Sequence, residues 1–155
     1  MKQPDNKENP AAPILALDLG QKRVGVAVSD RLAISITKLP PLDRTNWKQL
    51  LSDVSDLCRR FDVRTLVIGL PLSLEGTSGT AAMEARDAAE KFARSLKVAV
   101  YLQDERLTSV EAEEQLRSAG FSAREIPALV DGQAAAIILA DFIAGGQRRL
   151  LVSLL

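Results

Sequence analysis

Histidine is missing from this chain, and that absence removes more chemistry than any other feature of its composition. A Ser-His-Asp triad, a Cys-His pair and a histidine-rich zinc centre are excluded, as is imidazole acid–base catalysis. Cysteine is nearly as scarce. The one thiol, Cys58, forbids an internal disulfide and argues against a cysteine zinc site. Its apolar helical position assigns it to packing. Net charge is also missing: 20 basic residues balance 20 acidic ones, so bulk charge lends nothing to nucleic-acid binding. No apolar run approaches the roughly 18 residues of a membrane-spanning helix. The N-terminal MKQPDNKENPAAP is polar and lacks the apolar stretch of a signal peptide. These absences lead us to expect a cytoplasmic protein with a disordered leader over residues 1–12.

What is present suffices for one domain. The chain has 155 residues, 46% of them apolar, with no internal repeat. Ile14 to Leu19 and Arg23 to Ser29 read as two strands joined by a tight turn at Gly20. Leu32 to Leu39 is a third strand, ended by Pro40–Pro41. Thr45 or Asn46 caps a helix whose Leu50, Leu51, Val54, Leu57 and Cys58 recur at helical spacing. Thr65 to Leu70 is a buried strand, a second helix carries Ala85, Ala88, Ala89 and Phe92 on one face, and Val98 to Leu102 is the last strand. Thr108 and Glu111 form a capping box opening a third helix, which Gly120 stops. Asp131 stands at the start of a final helix that is apolar nearly all round. This order predicts an α/β fold: a mixed five-stranded sheet, three antiparallel strands then two parallel ones, flanked by helices. The domain is expected to span residues 13–146, with 147–155 as an apolar tail that packs on the domain or on a second subunit.

The chemistry rests on carboxylates. Asp18 interrupts an apolar strand, and a buried charge requires a partner. The simpler reading is a hydrogen bond to its own glycine turn. Glu105 follows the last strand, at the end where open α/β sheets place ligands. It could instead pair with Arg106, and the adjacent Asp104 competes for its role. Asp131 could be no more than a helix cap. Three carboxylates brought together would repel unless cations bridge them. Without histidine, hard divalent ions such as magnesium or manganese are the fitting partners, and two of them about 4 Å apart suit phosphodiester cleavage. Local charge agrees. Residues 20–50 hold Lys22, Arg23, Arg31, Lys38, Arg44 and Lys48 against Asp30 and Asp43, whereas residues 103–125 are acidic.

Four stretches resemble a known family: Leu17–Asp30 (LDLGQKRVGVAVSD), Val67–Leu72 (VIGLPL) continuing into Glu75–Gly76, Asp104–Thr108 (DERLT) with Ala112, and Val130–Ala135 (VDGQAA). In this order and spacing they resemble the YqgF type of Holliday-junction-resolvase-like nucleases, within the ribonuclease H-like superfamily. The resemblance implies a ribonuclease H-like fold and metal-dependent cleavage of structured nucleic acid. The implied role is maturing the precursor of 16S ribosomal RNA, with Holliday-junction resolution the older proposal. It places the three acids on Asp18, Glu105 and Asp131, as catalytic residues and ligands of magnesium or manganese. It matches Lys22, Arg23 and Arg106 to basic positions that hold substrate phosphates, each otherwise a solvated surface charge. The implied partners are precursor rRNA or branched DNA and ribosomal particles, with the protein a monomer or homodimer. One departure stands out: residues 124–129 carry a single arginine where such proteins often carry several cations. Two rivals remain. One is a non-catalytic ribosome-assembly module. The other is an actin-like ATP-binding lobe, which Asp-x-Gly before a hairpin also opens, but which needs two lobes.

Overall fold

Apolar residues alternate along the strands and sort the core onto two sides of one sheet. The computed structural model describes residues 9–72, 79–105, 108–145 and 149–153. In chain order its elements are β1 (Ile14–Leu19), β2 (Arg23–Ser29), β3 (Ile36–Asp43), α1 (Trp47–Arg60), β4 (Thr65–Pro71), α2 (Thr80–Ser95), β5 (Ala99–Glu105), α3 (Thr108–Ser118), α4 (Ile126–Ala144) and β6 (Arg149–Ser153). The sheet order is β3-β2-β1-β4-β5-β6. β1, β4 and β5 run parallel, joined by crossovers through helices, while β2, β3 and β6 each pair antiparallel with their neighbours.

Leu15 and Leu17 of β1, Leu66 and Ile68 of β4, and Val100 and Leu102 of β5 face the larger core, which α1 and α2 close with Leu50, Val54, Ala89 and Phe92. Ile14, Ala16, Ala27 and Val67 face the other way, under Ala135, Ile138 and Phe142 of α4. α3 packs outside α4 through Ala112, Ala134 and Ile137. Contrary to the expectation that no apolar run approaches membrane-spanning size, α4 is long and apolar enough to cross a membrane by length and composition alone; it lies over the sheet as a core helix. Pleating puts alternate residues on opposite faces, so the parity of each strand decides which polar residues meet α4.

The expected α/β architecture is present, with differences in detail. The sheet has six strands, not five. The apolar tail supplies the sixth, pairing Leu150 with Leu102 and Leu151 with Tyr101. The Nε of Arg149 donates to the Phe142 carbonyl at 3.0 Å and fastens this strand to the end of α4. β3 begins later than expected and runs through Pro40 and Pro41. Leu39 pairs with Val26 and Leu42 with Val24, so the two prolines share the place opposite Gly25 as a bulge. An edge strand tolerates them because a bulged proline needs no ladder donor. Residues 31–35 instead form a loop tied to Asp30, whose carboxylate accepts from the Ile34 and Ser35 amides. Asn46 caps α1, accepting from the Gln49 amide at 3.1 Å. Gly120 closes α3 at a φ of 96°, where a side chain would be strained.

Candidate active site

The turn between β1 and β2 builds one wall of the site. The Gly20 amide donates to the Arg23 carbonyl at 2.9 Å, and a Cβ on Gly20 would lie only 2.7 Å from that oxygen. Glycine is therefore required. Arg44 braces the turn from outside: its amide donates to the Lys22 carbonyl, and its guanidinium binds the Gly20 carbonyl and Glu84 of α2.

Asp18 shares the parity of Ile14 and Ala16, so it points to the α4 side. Glu105, two pleats beyond Tyr101, points the same way. The register joins them through β4: Leu17 pairs with Ile68, and Pro71 with Glu105. Asp104 has the opposite parity, so Glu105 is the acid on the α4 face. Glu105 is 5% exposed, and its Oε2 accepts from the Thr108 hydroxyl at 3.0 Å.

Asp131 arrives from above, as the sixth residue of α4. The helix starts at Ile126 with Pro127 in its first turn, so Asp131 is not its cap. Its position depends on Gly25, which pairs with Asp18 across the hairpin. A Cβ on Gly25 would lie 2.1 Å from the Asp131 carbonyl oxygen. The missing side chain lets the α4 backbone sit directly on the sheet beside Asp18. Gly69 does the same for Ile138, whose Cδ1 would be 2.5 Å from a Cβ there.

Asp18, Gly20, Glu105, Thr108, Asp131 and Ile138 thus line one cavity of about 410 Å³. Burial, reinforced by the negative charge of Asp131, pushes the Asp18 carboxyl up from 3.8 to about 6. The Nε of Arg23 contacts Oδ2 of Asp131 at 3.2 Å. Lys22 is exposed on the turn and does not line the cavity. Arg106 and the Glu75–Gly76 motif positions lie outside the described residues.

The donor set is all carboxylate oxygen, which fits a hard divalent cation. Among the described residues, no three acidic side chains converge into a closed set of metal ligands. The acids line a shared cavity, with Asp131 held by Arg23.

Three contributors escaped sequence reasoning. Gly25 and Gly69 each sit inside an apolar strand, a pattern that signals close backbone approach. Thr108 is the first residue of α3 and serves Glu105, in place of the expected capping box with Glu111.

Residues 12–145 match the family described as RuvX, Holliday junction resolvase. The chain belongs to the RuvX family. A relative from Anaeromyxobacter sp. (strain Fw109-5), named "Putative pre-16S rRNA nuclease", is 41% identical over 131 residues, covering 84% of this chain and 96% of that protein. A protein of the same name from Gloeothece citriformis (strain PCC 7424) is 42% identical over 137 residues, covering 88% and 89%. Among solved structures, Thermus thermophilus RuvC in complex with Holliday junction substrate aligns at a TM-score of 0.54 and 16% identity, covering 88% of this chain and 98% of that one. A second Thermus thermophilus RuvC structure aligns at 0.51 and 15%, covering 90% and 99%. At such identities the likeness to RuvC is one of fold.

Proposed function

We propose that this RuvX-family chain is a metal-dependent nuclease that hydrolyses phosphodiester bonds in structured nucleic acid, with Asp18, Glu105 and Asp131 as its catalytic acids. One observation carries the reading: acids from a strand, a strand end and a helix line a single cavity, close enough for Asp131 to raise the Asp18 carboxyl. Burying like charges together is costly, and a bound cation offsets that cost.

These three residues would hold magnesium or manganese, which supplies an activated water and stabilises the leaving oxygen. The chain does the rest. Thr108 orients Glu105 through its hydroxyl. Gly25 sets the height of Asp131 over the sheet. Ionised Asp18 is required for ligation, so metal binding weakens as pH falls through about 6. Lys22, Arg23 and Arg106 take substrate phosphates, where a cation offsets transition-state charge.

The precursor of 16S ribosomal RNA is the first substrate to test, because curated relatives near 40% identity carry that name over almost their whole length. A four-way DNA junction is the second, favoured by the family description. The protein is assigned to the cytoplasm, with ribosomal particles as candidate partners.

The test is cleavage of labelled precursor rRNA, single-stranded RNA and a DNA four-way junction with manganese, magnesium or EDTA, comparing wild type with Asp18→Asn. Cleavage that needs metal and vanishes in the variant is the expected result, and the preferred substrate identifies the role. A folded protein that binds these substrates and cuts none of them would instead support the assembly-module reading.

A further inference from the structure

Arg23 does something in this site that phosphate binding does not account for. Its guanidinium lies against the carboxylate of Asp131, an acid that the proposed reaction needs for a cation. The side chain of Arg23 is 57% exposed and that of Asp131 is 21% exposed, so the arginine is the more solvent-accessible partner of the pair.

Both backbones are pinned. The Arg23 carbonyl accepts the Gly20 amide, and Arg23 begins the β2 ladder by pairing with Asp43. The Asp131 carbonyl rests on Gly25. The contact therefore opens by side-chain rotation with no movement of either backbone, and the arginine, the more exposed of the two, is the freer to turn away. Nor does opening cost much electrostatically, because the arginine's side of the pair is more than half exposed and solvent screens the attraction. A divalent ion carries twice the charge of a guanidinium and binds oxygen at shorter range, so it outcompetes the arginine for the same carboxylate.

We propose that Arg23 is a latch on Asp131: it neutralises the carboxylate in the metal-free protein, yields it when a divalent cation binds, and then offers its freed guanidinium to a substrate phosphate. The inference rests on the metal-dependent reading above and deepens it. It couples the two ligands, because metal binding creates a phosphate-binding cation at the mouth of the cavity.

The consequence runs against intuition: deleting the basic residue tightens metal binding. Full-length wild type, Arg23→Gln and Arg23→Lys would be titrated with Mn²⁺ by calorimetry at low and high KCl. Arg23→Gln is expected to bind Mn²⁺ roughly two- to fivefold more tightly, the factor set by a partly exposed, solvent-screened ion pair. Arg23→Lys should restore most of the wild-type affinity. The gap should narrow at high salt, which screens the pair. Anisotropy of a fluorescein-labelled single-stranded RNA, read on ice, supplies the second half. Arg23→Gln should lose several-fold in RNA affinity with Mn²⁺ present and little in EDTA. Equal or weaker Mn²⁺ binding by a folded Arg23→Gln protein would overturn the latch and leave Arg23 as a strut. An equal loss of RNA affinity with and without Mn²⁺ would overturn the coupling. If no variant binds Mn²⁺ at all, the metal-dependent reading falls and takes the latch with it, an outcome distinct from equal binding.

Discussion

Replacing Asp18 by asparagine should make the metal-free protein more stable, although it removes the acid at the centre of the proposed chemistry. The magnitude follows from the carboxyl's environment. Burial first, and the charge of Asp131 second, raise it from 3.8 to about 6. Holding a carboxylate against that shift costs on the order of 3 kcal/mol. The sign follows from proton linkage. Below pH 3.8 the group is protonated whether the chain is folded or not, and it contributes nothing. Between 3.8 and about 6 the folded protein keeps a proton that the unfolded chain releases, so stability falls as pH rises. Above about 6 the full cost is carried. The asparagine side chain has no charge to bury. In EDTA at pH 8 the variant should melt about 6–12 °C above wild type, at roughly 2–4 °C per kcal/mol for a chain of this size. The difference should shrink steadily as pH is lowered through about 6 toward 4. Added Mg²⁺ should raise the wild-type melting temperature and leave the variant's nearly unchanged. Thermal melts of both proteins across this pH range are the assay. A variant that melts lower than wild type at pH 8, or a difference that ignores pH, would refute the argument, because Asp18 would then be a structural hydrogen-bonding group and not a carboxylate under strain.

Two further substitutions test the frame of the site. Gly25→Ala puts a methyl group 2.1 Å from the Asp131 carbonyl oxygen, a backbone atom that cannot step aside; we expect a loss of about 3 kcal/mol or more, read from the urea midpoint, and an unchanged midpoint would mean that α4 does not rest on this strand. Thr108→Val removes the hydroxyl that donates to Glu105; it should cost about 1 kcal/mol of stability and about tenfold in cleavage rate, with Thr108→Ser recovering both, and a wild-type rate in the valine protein would remove Thr108 from the site.

The legible part of this protein was whatever depends on local pattern. The β-hairpin around Gly20 announces itself in sequence because apolar residues flank a short polar turn. The Asn46 cap, the α1 spacing and the Gly120 stop are legible for the same reason: each is set within a few residues of chain. Asp18 stood out because a charge within a buried strand is anomalous wherever the strand lies. Pro40–Pro41 misled, since a proline's cost depends on whether its strand is central or at an edge, and that is a property of the sheet. The sixth strand was illegible on similar grounds. Arg149–Ser153 forms a strand because the edge of β5 is open to it and Phe142 anchors its first residue, and β5, the partner that makes it a strand, is far from it in sequence.

The sequence by itself determined the chemistry that is available: no imidazole, a carboxylate set, and an α/β order of strands and helices whose motifs place it in its family. Only the tertiary structure decided how those groups meet. Strand parity turned Glu105 and not Asp104 toward α4, the missing side chain at Gly25 lowered α4 until Asp131 faced Asp18, and the same hairpin delivered Arg23 to the Asp131 carboxylate. Composition and motif are written along the chain. Distances between residues far apart in sequence are set by packing, which balances the cost of burying charge against the core that holds the acids in place.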